Sequence, residues 1–300
     1  MTKTAWVFPG QGSQAKGMGV ELINLSSASE KLEQAEDILG WSVLDICQNH
    51  EEKLSHTLYT QPCLYVIESI LADFLLEQGY VPNLLAGHSL GEYVALYTAR
   101  VFSFEAGLRL VKRRAELMDS ASDGMMAALI GFNREQLDTQ IQQTSDVVLA
   151  NDNSCAQVVI SGTPEAVKQV LSQIKVRRAT PLNVSGAFHS PLMAKAATEF
   201  ETVLESVPFA DAQVPILSNV EPFPAAEASV LKHRLQRQMT GSVRWREICL
   251  QLPVEGIERV VEIGPGKVLT GLIKRTCKDL LLENISSPDQ VKTLSLATAN

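Results

Sequence analysis

The chain has 300 residues, enough for about two domains of ordinary size and for a core that needs no disulfide or metal staple. Apolar residues make up 45% and charged residues 20%, which excludes intrinsic disorder. Lys and Arg number 26 against 34 Asp and Glu, a net charge of −8 that argues against binding nucleic acid or an anionic membrane. No apolar run approaches the ~20 residues of a membrane span. The longest, residues 64–76, is broken by Glu68, Ser69 and Asp73. The opening MTKTAWVFPGQGSQ turns polar and Gly-rich too early for a signal peptide. Five scattered cysteines (Cys47, Cys63, Cys155, Cys249, Cys277) contain no CxxC, so metal knuckles have no support and a reduced, cytoplasmic compartment is expected.

In chain order, residues 4–8 read as a strand running into Pro9-Gly10-Gln11-Gly12-Ser13-Gln14. Leu64, Ile67, Leu71, Phe74 and Leu75 recur at helical spacing and predict a helix over 62–78, with Gly79 as its C-cap. Residues 84–86 form a short strand ending at Gly87-His88-Ser89-Leu90-Gly91, and a helix follows over about 90–100. Ser103 is an N-cap for a further helix reaching about 118. Such alternation implies a parallel sheet with helices on its faces.

At Ser122-Asp123-Gly124 the pattern changes. Strands are expected at 125–130, 147–150, 158–160 and 179–184, with helices at 134–143 and 164–174. That β-α-β-β-α-β order is the ferredoxin-like arrangement. Past Ser190 helix and strand alternate again, ending with a strand at 260–263 that enters Gly264-Pro265-Gly266. The expected fold is therefore α/β: a large parallel-sheet domain, 1–123 and 191–300, interrupted by a small subdomain, 124–190. Ligands bind in such clefts.

Gly87-His88-Ser89-Leu90-Gly91 is G-x-S-x-G between a strand and a helix, the context a nucleophile elbow requires. The turn lifts the serine hydroxyl to the sheet edge and aims the first N–H groups of the helix at an oxyanion beside it. Chance bracketing of a serine by two glycines is the bland alternative. A serine needs a base within hydrogen-bond reach. His50 and His56 lie in polar stretches, His233 sits between Lys232 and Arg234, and His88 points away from its neighbour at a sharp turn. His189, in Ser185-Gly186-Ala187-Phe188-His189-Ser190-Pro191, lies where the insert rejoins the main domain, although a lone loop histidine is more often structural.

Leu90 N–H is one oxyanion donor by elbow geometry, and Gln11 in the early Gly-rich turn offers a second. Neither GxGxxG nor GxxxxGK[ST] occurs there, so a nucleotide loop has little support. Gly264-Pro265-Gly266-Lys267 reads as packing. On a helical wheel Arg114 falls beside the apolar face of Phe104, Leu108, Val111, Ala115 and Met118. It either snorkels or stands as a partly buried guanidinium awaiting a carboxylate.

Together these motifs resemble the malonyl-CoA:acyl-carrier-protein transacylases, the acyltransferases of fatty acid and polyketide synthesis. The matching segments are FPGQGSQ (8–14), TQP (60–62), GHSLGEY (87–93), Arg114, AFHS (187–190), Gln238 ahead of Val243-Arg244-Trp245, and EIGPGKVLTGLIKR (262–275). The resemblance implies a hydrolase-like α/β domain carrying a ferredoxin-like insert. It implies Ser89 as nucleophile, His189 as its base, and Gln11 with the Leu90 amide as the oxyanion hole. Arg114 would hold the malonyl carboxylate, Gln61 would line the pocket, and the Gln238 carbonyl would orient the histidine in place of an aspartate. Leu90 and Phe188 are the malonyl-type choices beside the serine and histidine. The implied substrates are malonyl-CoA and a phosphopantetheinylated acyl carrier protein, with no metal, no redox cofactor, no nucleic acid and no membrane, and a monomer is expected. The rival is an acyl-thioester hydrolase, which would place its histidine late, add an acid partner after the serine, and leave Arg114 without a purpose.

Overall fold

A parallel sheet carries the serine and an antiparallel sheet closes over it. The computed structural model describes residues 2–184 and 186–291; Ser185 of the histidine loop, Met1 and residues 292–300 lie outside the described residues. The first part of the chain supplies β1 (Thr4–Phe8), α1 (Ser26–Leu39), α2 (Val43–Asn49), α3 (Glu51–Leu54) and α4 (Thr57–Glu77). It continues with β2 (Leu84–Gly87), α5 (Gly91–Thr98) and α6 (Phe104–Asp119). The middle part gives β3 (Met125–Phe132), α7 (Arg134–Gln143), β4 (Val147–Ser154), β5 (Gln157–Gly162), α8 (Pro164–Gln173) and β6 (Val176–Pro181). After it come α9 (Ala194–Ser206), β7 (Ile216–Leu217), α10 (Ala228–Gln238) and α11 (Trp245–Val254). The last elements are β8 (Arg259–Ile263), α12 (Val268–Thr276), β9 (Leu281–Ile285) and α13 (Pro288–Val291).

The first sheet has the order β7-β2-β1-β8-β9 and is parallel throughout. Its central strands β1, β2 and β8 are buried along their whole length, so apolar residues follow one another rather than alternate, although β8 also buries the charged Arg259 and Glu262. The second sheet, β4-β5-β3-β6, is antiparallel and has its own core around Leu129, Leu137, Ile160 and Val167. Its β-α-β-β-α-β connection is the ferredoxin-like order expected from the sequence.

Three elements differ most from their expected bounds. Helix α4 starts at Thr57, not 62: Pro62 sits in its second turn, where it withholds one N–H without ending the helix. Strand β6 occupies Val176–Pro181 rather than 179–184, in register with Phe132 through Ala127 of β3. Its charged residues Arg177 and Arg178 are exposed on an edge strand, which hides the strand from an apolar-pattern reading. Strand β4 continues past 150 to Ser154 because its outer edge meets the other domain. Val243 N–H donates to Ala150 O at 2.8 Å, and Asp152 N–H donates to Val243 O at 2.9 Å. Buried Asp152 also accepts from Arg134 Nη1 (3.0 Å) within the insert and from Arg246 Nε (3.2 Å) across the seam.

Candidate active site

The elbow is built by exclusion. A Cβ on Gly87 would lie 1.9 Å from the carbonyl carbon of Gly91, and one on Gly91 would lie 2.0 Å from Phe8 O. Only glycine lets β2 turn this tightly into α5. Ser89 is left at φ 53°, a left-handed conformation that costs on the order of 1–3 kcal/mol for a residue with a side chain. Asn219 holds it there. Ser89 N–H donates to Asn219 Oδ1 at 2.7 Å, and Asn219 Nδ2 donates to Gly87 O at 2.6 Å.

His189, buried and also at positive φ (57°), places Nε2 2.8 Å from Ser89 Oγ. Its Nδ1 faces Gln238 O at 3.0 Å and Gly241 O at 3.2 Å. Carbonyl oxygens only accept, so they fix the proton on Nδ1 and leave Nε2 free to take the serine proton. Burial first, and the nearby charge of Arg114 second, pull its pKa down to about 3. The imidazole is therefore neutral at pH 7. His88 is only half-buried, and its Nε2 is engaged elsewhere, 2.8 Å from Asn153 Oδ1.

Arg114 is fully buried, not merely beside the apolar face. Its Nη1 donates to Gln61 Oε1 at 2.7 Å, and its Nη2 donates to Ser89 Oγ at 3.0 Å and to Gln238 Oε1 at 3.1 Å. None of those partners is a carboxylate, and Nε is buried without a hydrogen bond. Its guanidinium lies 5.4 Å from the Tyr93 ring, and desolvation holds its pKa below the usual arginine value. A buried cation donating to three neutral oxygens is a ready receptor for an anion.

Gln61 completes its own pairing through Nε2 to Met118 Sδ at 3.5 Å. Buried Phe188 lines the narrow cavity, about 80 Å³, that Ser89, Arg114 and His189 share with Gln11, Leu90 and, from the insert, Met126, Asn151 and Leu182. Gln11 departs from a side-chain oxyanion role: its Nε2 is committed to Thr57 Oγ1 at 3.0 Å. Its main-chain N–H, like that of Leu90, donates to no main-chain carbonyl among the described residues. Glu262 accepts Leu269 N–H and Thr270 N–H at 2.9 and 2.8 Å, so the Gly264–Lys267 turn packs a helix start.

Two participants carry no sequence signal of their function. Glu92 lies inside GHSLGEY, yet nothing in the motif says where its carboxylate goes; Asn219 follows a two-residue strand with no motif at all. Larger hollows, 560 Å³ beside Lys16 and Pro265 and 810 Å³ beside Cys277, contain no serine–histidine pair. Among the described residues, no helix is long and apolar enough to cross a membrane. No cluster of three or more His, Cys, Asp or Glu that could hold a metal is found among them either.

A nucleophile elbow with a histidine oriented by main-chain carbonyls, roofed by a ferredoxin-like insert, defines an acyl-transferring serine enzyme. The chain belongs to the acyl transferase domain family, whose profile matches residues 5–297. It is 57% identical to the malonyl CoA-acyl carrier protein transacylase of Synechocystis sp. over 292 residues, covering 97% of this chain and all of that one. The crystal structure of the Synechocystis malonyl-CoA:ACP transacylase superposes with a TM-score of 0.96, with 97% of this chain and 100% of that one covered. A malonyl-transacylase solved in complex with its type II PKS acyl-carrier protein gives 0.93 at 36% identity, covering 97% of this chain and 98% of that one.

Proposed function

We propose that the chain transfers malonyl groups from malonyl-CoA to the pantetheine thiol of an acyl carrier protein through a malonyl ester on Ser89. The observation that carries this reading is the buried Arg114 guanidinium, without a carboxylate partner, 3.0 Å from a hydroxyl that sits 2.8 Å from an imidazole. His189 Nε2 takes the Ser89 proton as Oγ attacks the thioester carbonyl. The tetrahedral oxyanion is held by the main-chain N–H groups of Leu90 and Gln11, and collapse expels CoA as its thiol. The carrier thiol then attacks the seryl ester, with the same histidine as base. Arg114, steadied by Gln61, holds the malonyl carboxylate, and Phe188 walls the pocket.

Both ends of the reaction are thioesters, so transfer is nearly isoenergetic, and no oxidation state changes, so the reading includes no redox cofactor; it assigns base, oxyanion and carboxylate-holding roles to protein groups and so invokes no metal. A net charge of −8 suits a cytoplasmic protein without nucleic-acid or membrane partners. The same reading divides the chain into a catalytic domain, 1–123 and 191–300, and an inserted subdomain, 124–190; β3 and β6 fall within the latter. Malonyl-CoA incubated with the protein and a phosphopantetheinylated carrier should give malonyl-carrier protein and one CoA per malonyl moved. Release of free malonate at the same rate without the carrier would instead establish the hydrolase reading.

A further inference from the structure

Behind the reacting groups lies one buried carboxylate that the mechanism does not use. Glu92 is 1% exposed, and its Oε2 accepts from Asn219 N–H at 3.2 Å and from Gln238 Nε2 at 2.8 Å. Each of these partners holds reacting groups. Asn219 clamps the elbow at Ser89 N–H and Gly87 O. Gln238 donates from Nε2 to Ser89 O at 2.9 Å, accepts from Arg114 Nη2 through Oε1, and receives His189 Nδ1 on its main-chain carbonyl. A glutamate in the first turn of a helix ordinarily serves the positive end of the helix dipole. Here the carboxylate oxygen is spent on side-chain and main-chain donors from other segments.

The polarity of the Gln238 amide makes this arrangement directional. A carboxylate oxygen that receives N–H groups can only accept, so it demands the NH₂ end of Gln238. The carbonyl end must then face Arg114. A flipped amide would set its carbonyl against Glu92 and Ser89 O and its NH₂ against a guanidinium, three repulsive contacts in a site where Gln238 and Arg114 are both fully buried. We propose that Glu92 is a positioning residue for acyl-group choice: it fixes the Gln238 amide, and through it the orientation of Arg114 toward the substrate carboxylate. This rests on the malonyl-transfer reading above.

The test compares kcat/KM for malonyl-CoA and acetyl-CoA in wild type, Glu92→Ala, Glu92→Gln, Gln238→Leu and the Glu92→Ala/Gln238→Leu pair, with folding checked by circular dichroism. Wild type transferring no malonyl would sink the functional reading itself, independently of Glu92. With that activity present, Glu92→Ala should lower the malonyl-to-acetyl ratio about tenfold or more, the worth of one hydrogen bond to a charged group. Glu92→Gln should recover most of the ratio, because its carbonyl can accept from both N–H groups. The double variant should lose no more of the ratio than Gln238→Leu alone, since Glu92 acts through that amide. A ratio unchanged in Glu92→Ala while both rates fall together would reduce Glu92 to fold support, and additive losses would overturn the route through Gln238. Should Glu92→Ala not fold, Gln238→Leu decides: a preserved ratio there overturns the proposal.

Discussion

Arg114 donates a hydrogen bond to Ser89 Oγ, so on the malonyl-transfer reading an incoming carboxylate would take over a donor already aimed at the nucleophile. Arg114→Ala should therefore cut kcat/KM for malonyl-CoA by roughly tenfold to a hundredfold, the range for a charged hydrogen bond, while acetyl-CoA is transferred as well as before or better. Arg114→Lys should rescue poorly, because an ammonium lacks the planar fork that meets Gln61, Gln238 and a carboxylate together. Parallel losses for both acyl groups would show that Arg114 supports the fold instead. His189 carries a second consequence. Its folded pKa of about 3 lies below the unfolded value near 6.5, so the unfolded chain binds protons first as pH falls. The stability it contributes is complete above about pH 6.5 and drains below it, by about 2 kcal/mol at pH 5. His88 is shifted in the same direction, while Glu68 and Glu92, raised by burial, act with the opposite sign. Chemical denaturation of wild type and His189→Ala at pH 7 and pH 5 isolates the term: the variant should lose less on acidification, and equal losses would refute it. Ser89 stood out from its turn motif alone, whereas the loop and the helical wheel left His189 and Arg114 open and only the family resemblance singled them out. Glu92 and Asn219 were not, because their roles arise from pairing between segments 127 positions apart.

For the elements, the alternation of strand and helix and the change of pattern at Gly124 were both readable, since burial on two faces and on one face leave different apolar periods. What escaped were strands defined by pairing rather than by composition. Polar Asn151 to Ser154 extend β4 because Val243 bonds its edge, and the arginines of β6 sit in register with β3. The elbow itself is the element under the tightest steric limit. Gly91→Ala would drive a methyl into the Phe8 carbonyl of the central strand, a backbone atom that cannot rotate away. We expect a loss of about 3 kcal/mol or more, at the severe end for overpacking. An unfolding free energy from urea titration that falls by less than ~1 kcal/mol would mean that α5 can slide off β1 and that the elbow is not rigid.

Across the whole molecule, two sheets that fold around separate cores supply opposite walls of one small cavity. The parallel sheet presents Ser89 at the carboxyl end of β2, where open α/β sheets place ligands. The insert brings Met126 and Leu182 over it, and His189 follows where the chain returns. The seam at Ala150, Asp152 and Val243 ties the halves by main-chain bonds beside the histidine's own carbonyl partners. On the malonyl-transfer reading, an acyl group lodged between these walls would be shielded from water on both sides, favouring thiol over water as the second nucleophile. The measurement that bears most directly on this account is the intact mass of the protein after exposure to malonyl-CoA, with the modified peptide mapped. One malonyl group per chain on the peptide carrying Ser89, absent from Ser89→Ala and discharged by a phosphopantetheinylated carrier protein, is the expected result. A mass increase that persists in Ser89→Ala would contradict it.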